Sequence, residues 1–320
     1  MLRIRQVMWL KHVCVLMFSL LMVWSVWGCS NSNPESGAES TTDGGDLPET
    51  TPEGSSLAEL RVMTLNIPFF PGGVKMGDHE GRVPRLVALL KDMQEPPHVV
   101  CLQEVWLDTI KQKIADDLKE QYPHSYLDTT QQEGLNSGLM MLSKFPIQSK
   151  DIFHYSDAFG TAETLAKKGI LGSKIELPGG KSIYVFTTHL QSSSKDEANA
   201  VKLKQLAEAK TLIEKLSKDD NAPVVLTGDF NLSSEKNQET LTKAKAIFPY
   251  VRDIHNPPAG KEVGGSTWGG LNGEGTLQRI DHIWILRGEN VKAYSYISKI
   301  VDEKLSNHLA VIGHFEVDSF

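Results

Sequence analysis

Only three cysteines occur in the 320 residues, at Cys14, Cys29 and Cys101. The first two fall in an apolar leader, which leaves Cys101 alone in the body of the chain and excludes an intradomain disulfide. Cys101 sits in the apolar run Val99-Val100-Cys101-Leu102 and reads as a small core residue. Positive charge is also scarce: 33 Lys and Arg against 40 Asp and Glu give a formal charge of -7, with no long basic run. That balance disfavours a broad nucleic-acid footprint. The leader's apolar run, Val13 to Gly28, is about 16 residues and falls short of the roughly 20 that span a bilayer. No internal repeat is visible.

What is present divides the chain into three parts. Residues 1–29 have the form of an export signal: Arg3, Arg5 and Lys11 with no acid, then the apolar run. The run ends Ser25-Val26-Trp27-Gly28-Cys29-Ser30, which resembles a bacterial lipoprotein cleavage box with Gly28 before the lipidated Cys29. Trp27 is bulkier than the residue usual there, and an ordinary signal peptide or an uncleaved anchor is the alternative. The expectation is an exported protein, membrane-anchored through Cys29 and facing the periplasm or the cell exterior. Residues 30–57, rich in Ser, Thr, Glu, Gly and Pro, cannot bury enough surface to fold and read as a disordered tether. Residues 58–320 remain for one large globular domain.

The domain alternates between strand-like and helix-like segments. Strands are expected at Leu60–Ile67, Val99–Gln103, Gly138–Leu142, Gly169–Leu177, Ser182–Thr188, Ile280–Leu286 and Leu309–Phe315. Helices are expected at Val83–Met93, Ile110–Leu118 and Ala198–Leu216, the last from its apolar spacing. This content fits an α/β fold of two sheets packed face to face with helices outside. Its centre is Val224 to Asn231, a buried strand ending in Gly228 followed by Asp229 and Asn231. A spacing of two places both polar side chains on one side of an extended segment, at the carboxyl end where α/β folds gather catalytic groups. An Asx-turn leaving the strand is the alternative.

Other polar residues stand at the ends of apolar strands. Glu104 follows Val99 to Gln103, and Asn66 ends the first strand; carboxylate and amide oxygens are the hard ligands Mg2+ prefers. His189 follows Tyr184 to Thr188, Asp281 opens Ile280–Leu286, and His308 precedes the last strand. Singly, each has an ordinary structural explanation.

In order, these residues form a series that resembles the endonuclease/exonuclease/phosphatase superfamily of Mg2+-dependent phosphodiesterases. The motifs are Thr64-Leu65-Asn66, Leu102-Gln103-Glu104-Val105-Trp106, Thr188-His189-Leu190, Gly228-Asp229-Phe230-Asn231, Arg279-Ile280-Asp281 and Ser306-Asn307-His308. Within it, Gly138 to Ile147 and Glu163-Thr164-Leu165-Ala166-Lys167-Lys168-Gly169 resemble the neutral sphingomyelinase branch. The resemblance implies a four-layer α/β sandwich with two mixed sheets. It also implies hydrolysis of a phospholipid at a membrane surface, with sphingomyelin giving ceramide and choline phosphate.

By the same resemblance, Glu104, Asn66 and Asn307 hold Mg2+, for which Mn2+ or Co2+ can substitute. Asp281 orients His308, which takes a proton from water as a neutral imidazole of ordinary pKa. Asp229 positions water or the leaving oxygen, while His189, Asn231 and Lys168 contact the phosphoryl group. Lys168 is otherwise a surface lysine. Asn307 stands where the superfamily usually has Asp, so weaker Mg2+ binding is expected; a domain turned binding module is the alternative. A nuclease or other phosphoesterase is the alternative within the class. Phe69, Phe70, Tyr155 and Phe159 are candidates either for membrane insertion or for burial under loops, and Trp268 for the rim of the site. A monomer is expected.

Overall fold

The computed structural model describes residues 58–73, 76–130, 134–258, 265–269 and 277–317. The leader, the cleavage box and the tether lie outside the described residues. Among the described residues, no helix is long and apolar enough to cross a membrane.

The strands are β1 (Ala58–Phe69), β2 (Val99–Val105), β3 (His124–Leu127), β4 (Met140–Ser143), β5 (Ile147–His154), β6 (Gly169–Glu176), β7 (Ser182–His189), β8 (Val224–Asp229), β9 (Arg252–Asp253), β10 (Asp281–Arg287), β11 (Lys292–Ser298) and β12 (Ala310–Val317). The helices are α1 (His79–Asp92), α2 (Asp108–Asp117), α3 (Thr161–Leu165), α4 (Asp196–Ser217) and α5 (Ser234–Lys245). One sheet has the order β11-β12-β1-β2-β4-β3 and the other β5-β6-β7-β8-β10-β9. Each carries one parallel pair at its centre, β1 with β2 and β7 with β8, amid antiparallel neighbours.

Side chains alternate along each strand, and the alternation builds the layers. Leu60, Val62, Val99 and Cys101 from one sheet meet Val185, Val225, Ile283 and Ile285 from the other in the inter-sheet core. The opposite parity of β1 and β2, including Met63, Leu65, Val100 and Leu102, packs under Leu86 and Leu90 of α1 and Ile114 of α2. Leu226 and Trp284 pack under Leu206 and Leu212 of α4 and Leu241 of α5. The four-layer α/β sandwich expected from the sequence is the fold observed.

At one end the inter-sheet core turns polar. Gln103 donates to Thr64 Oγ1 at 3.0 Å and to Thr187 Oγ1 of the facing sheet at 3.0 Å. One inward position further on stand Asn66 on β1 and His189 on β7, with Asp229 ending β8 and Asp281 opening β10. Gly228 makes the close approach of β7 and β8 possible: a Cβ there would lie 2.0 Å from the Thr188 carbonyl oxygen.

A separate buried network anchors the segment before β4. Asp128 accepts from the Ser137 amide at 2.7 Å and pairs with His154 at 2.9 Å, while Lys111 donates to Asn136 Oδ1 at 2.8 Å. Burial works against the Asp128 charge, but the bonds from His154 and Ser137 hold its carboxyl well below the usual range. A depressed folded pKa contributes stability above the unfolded value of about 3.9 and loses it as pH falls below that value. The urea midpoint of the wild type should therefore fall more steeply below pH 4 than that of Asp128→Asn, which should be less stable at pH 7 by about 2 kcal/mol. Parallel acid limbs in the two titrations would refute this.

Candidate active site

The inward-facing strand ends converge on one cleft of about 410 Å3, lined by Glu104, His189, Asp229, Asn231, Asn307 and His308 on its polar floor. Lys168 and Trp268 also line it, as the sequence led us to expect. The remaining two candidates, Asn66 and Asp281, lie directly beneath, each bonded to a residue of the floor.

Glu104 reaches the cleft through a break in strand alternation. Its backbone is left-handed (φ 60), an uncommon conformation for a side-chain-bearing residue. Val105 is thereby turned into the outer core with Val100 and Leu102, and Glu104 meets Asn66. The Asn66 amide donates to Glu104 Oε1 at 3.1 Å and to Asp229 Oδ2 at 2.9 Å. Asn66 Oδ1 and Glu104 Oε2 are buried and have no hydrogen-bond partner. Orphaned hard oxygens on two directly bonded residues are what a divalent cation such as Mg2+ would satisfy, so this donor set fits such an ion.

Opposite them, His308 Nδ1 lies 2.9 Å from Asp281 Oδ2, and both residues are buried. His308 Nε2 lies 4.0 Å from Asp229 Oδ2. Asp229, Asp281 and His308 also have the spacing of a metal-binding group. In that group His308 Nδ1 takes Asp281 Oδ2, while Asp281 Oδ1 is buried without a partner, as Asn66 Oδ1 and Glu104 Oε2 are. Asn66 and Glu104 are the pair whose oxygens are not shared with the histidine. Burial disfavours a charged His308, but the Asp281 charge and hydrogen bond, with Asp229 and Glu104 behind them, more than offset it and raise its pKa. Burial and the Asp281 charge raise the Asp229 carboxyl. The expectation of an ordinary histidine pKa is corrected: the charges of Asp281, Asp229 and Glu104 raise it.

Asn231 departs from the extended geometry expected of it. Its φ of 49 turns the chain, and its amide N–H donates to Asp229 Oδ1 at 2.8 Å, closing the Asx-turn that was the alternative reading. Its side-chain amide donates to the Leu190 carbonyl at 3.1 Å. His189 Nε2 lies 3.5 Å from Asp229 Oδ2 and 3.8 Å from Glu104 Oε1. Lys168 is not a surface residue: it is buried, donates to the Leu190 carbonyl at 3.0 Å and pairs with Glu163 at 3.0 Å.

For three of the four loop aromatics the structure selects burial from the two alternatives. Phe69 belongs to the core under α1, and Phe70 stacks near Trp106 with ring centroids 6.2 Å apart. Tyr155 is buried, with its hydroxyl 2.6 Å from Thr188 Oγ1, and Phe159 is half-buried. Burial therefore describes all three of Phe69, Phe70 and Tyr155, with Phe69 and Tyr155 in the sheet–helix cores.

Arg82 was not singled out in the sequence. Its guanidinium is 2% exposed and donates to the Pro68 carbonyl at 2.6 Å and the Leu305 carbonyl at 2.6 and 3.1 Å. Ser306, the next residue, donates to the Asn66 carbonyl at 2.6 Å and accepts from the His308 amide at 3.0 Å. Arg82 thus ties the end of β1 to the His308 loop. A lone arginine on the buried face of α1, among Val83, Leu86 and Leu90, was the available signal.

Sphingomyelin phosphodiesterase 5 of Danio rerio is 28% identical over 221 residues, covering 58% of this chain and 39% of that protein. Sphingomyelinase C 2 of Leptospira interrogans is 24% identical over 202 residues, covering 58% of this chain and 32% of its own. The chain thus spans less than two thirds of the length of either relative. A beta toxin from Staphylococcus aureus with bound magnesium ions superposes with a TM-score of 0.67 at 16% identity, covering 81% of this chain and 100% of that one, which shows a shared fold. Residues 63–292, well over half the chain, match the model of the endonuclease/exonuclease/phosphatase family, and the chain belongs to that family.

Proposed function

We propose that this protein is an exported, Mg2+-dependent phosphodiesterase that hydrolyses a phospholipid head group, with sphingomyelin as the favoured substrate and ceramide and choline phosphate as products. The observation that carries this reading is the pair of orphaned oxygens on Asn66 and Glu104 facing the His308–Asp281 pair across Asp229. Similarity to proteins named sphingomyelinases supplies the substrate class.

In this reading Glu104 and Asn66 hold the cation, with Asn307 at its edge. When bound, the ion offsets negative charge developing on a nonbridging phosphoryl oxygen. Asp281 fixes His308 so that Nε2 faces the cleft, and Nε2 takes the proton from the attacking water. Neutralising Glu104 removes the smallest of the charges that raise the His308 pKa and so shifts the imidazole toward its basic form, while Asp281 continues to hold Nδ1. Asp229 orients the water or the leaving oxygen. His189, Asn231 and Lys168 donate to the phosphoryl group. Anchorage through Cys29 would hold a monomeric catalytic domain near the lipid surface.

A second assignment has one specific support, the raised pKa of both His308 and Asp229. In it Asp229 accepts the water proton and His308 donates to the leaving oxygen.

The test of substrate class is a panel of sphingomyelin, phosphatidylcholine, phosphoinositide and plasmid DNA, each with Mg2+ and with EDTA. Mg2+-dependent choline phosphate release from sphingomyelin is expected. Preferential plasmid nicking would favour a nuclease, and liposome binding without turnover a binding module. Asn307 gives a finer test. Asn307→Asp adds a second negative charge at the cation's edge, so the Mg2+ concentration for half-maximal rate should fall about tenfold, or about 1.4 kcal/mol. An unchanged Mg2+ requirement would place this side chain away from the ion.

A further inference from the structure

Four residues other than glycine have left-handed backbone among the described residues: Asp78, Glu104, Ser193 and Asn231. Such conformations are strained for side-chain-bearing residues and concentrate where function holds them. Three of the four line the cleft. Glu104 and Asn231 have been given roles above; Ser193 has none.

Ser193 lies in the segment that follows His189. Four of the five carbonyls from Leu190 to Ser194 are engaged by donors from the protein. Leu190 O accepts from Lys168 and Asn231, Ser192 O from the Gln191 side chain at 3.2 Å, and Ser194 O from Asn199 at 3.2 Å. Ser193 O accepts from Lys202 Nζ at 2.5 Å. A segment with these carbonyls drawn into the protein presents its backbone N–H groups to a ligand, the Ser192 hydroxyl being committed to Glu163 Oε1 at 2.5 Å, and runs of backbone N–H groups around a left-handed residue bind anions.

Lys202 is wholly buried, although long charged side chains seldom are. Its other bond is to a second neutral oxygen, Asn199 Oδ1, at 3.1 Å. That atom also accepts from Asn237 Nδ2 at 3.1 Å, and Asn237 Nδ2 lies 3.4 Å from the Asn231 carbonyl. Both Ser193 and Asn231 are therefore braced by one network rooted in the first two turns of α4. The charges felt by Lys202 are those of the cleft: Asp229, Lys168 and Glu163.

We infer that residues 192–194 form an anion-binding rim for the phosphate of substrate or product, and that Lys202 is the positioning residue that sets it. This rests on the phosphodiesterase reading only for the identity of the anion. Lys202 lies behind the Ser193 carbonyl and acts on the anion through the segment and its charge.

The test uses the full chain, with inorganic phosphate as the probe. In EDTA, saturating phosphate should slow amide hydrogen exchange across residues 192–194 in the wild type. Lys202→Met should weaken that protection, raising the half-saturating phosphate concentration about tenfold, while Lys202→Arg should retain most of it. With Mg2+ and sphingomyelin, Lys202→Met should raise KM by a similar factor and change kcat by less than about threefold. Absence of phosphate protection at residues 192–194 in the wild type would overturn the inference, even if Lys202→Met failed to fold. So would a folded Lys202→Met with unchanged phosphate affinity. Lack of turnover on every phosphodiester would instead overturn the phosphodiesterase reading, because the exchange measurement does not depend on catalysis.

Discussion

His308→Ala should lower kcat on sphingomyelin by about a thousandfold or more, near the upper part of the range for removing a positioned acid or base. KM should change little, since the imidazole acts on the water proton and not on the lipid. The loss follows from the geometry: Nδ1 is committed to Asp281 at 2.9 Å, which leaves only Nε2 for chemistry. A nitrophenyl ester of choline phosphate separates the two assignments. Its leaving group departs without protonation, so a variant lacking a general acid keeps its rate on this substrate, whereas one lacking the base loses rate on both. The expected outcome is loss on both. Retained activity on the nitrophenyl ester would transfer the base to Asp229. Loss of His308 should not unfold the protein, because the Ser306 hydroxyl still bonds the Asn66 carbonyl and Arg82 still holds Leu305.

Glu104→Gln should also be costly and should differ in kind. The substitution keeps the shape and an oxygen at the end of β2 but removes the charge that a cation needs. It should raise the Mg2+ concentration for half-maximal rate by at least tenfold, and kcat at saturating Mg2+ should remain depressed by about a hundredfold or more. The same change removes one of the carboxylates that raise the His308 pKa. In the cation-free protein the His308 imidazole should therefore titrate at lower pH in Glu104→Gln than in wild type, as read from its proton resonances in EDTA. An unaltered Mg2+ requirement would mean that the orphaned oxygens of Asn66 and Glu104 do not serve the ion.

The site was legible in the sequence because strand alternation exposes it. Asn66, His189, Asp229 and Asp281 continue the inward parity of apolar runs, and a polar residue at such a position has few structural uses. Glu104 could be found as a strand-end acid, but the left-handed backbone that aims it could not. Asn231 was placed in the cleft for the wrong local reason, since a turn and not an extended spacing brings it there. Strands β5 and β11 escaped notice because each lies at a sheet edge with mixed polar and apolar positions, and helix α5 because Ser234–Lys245 buries only Asn237, Leu241 and Ala244; β5 exposes Gln148, Lys150 and Phe153 and buries none of its eight residues fully. Arg82 and Lys202 were missed because their work is done through backbone carbonyls, and the partners of a carbonyl cannot be read from side-chain type.

Hydrolysis of sphingomyelin by the full chain in water enriched in oxygen-18, with Mg2+ present, tests most directly whether this cleft drives water attack on phosphorus. The expected result is choline phosphate carrying one heavy oxygen, unlabelled ceramide, and no release in EDTA. Heavy oxygen in ceramide, or choline phosphate formed equally well in EDTA, would contradict it.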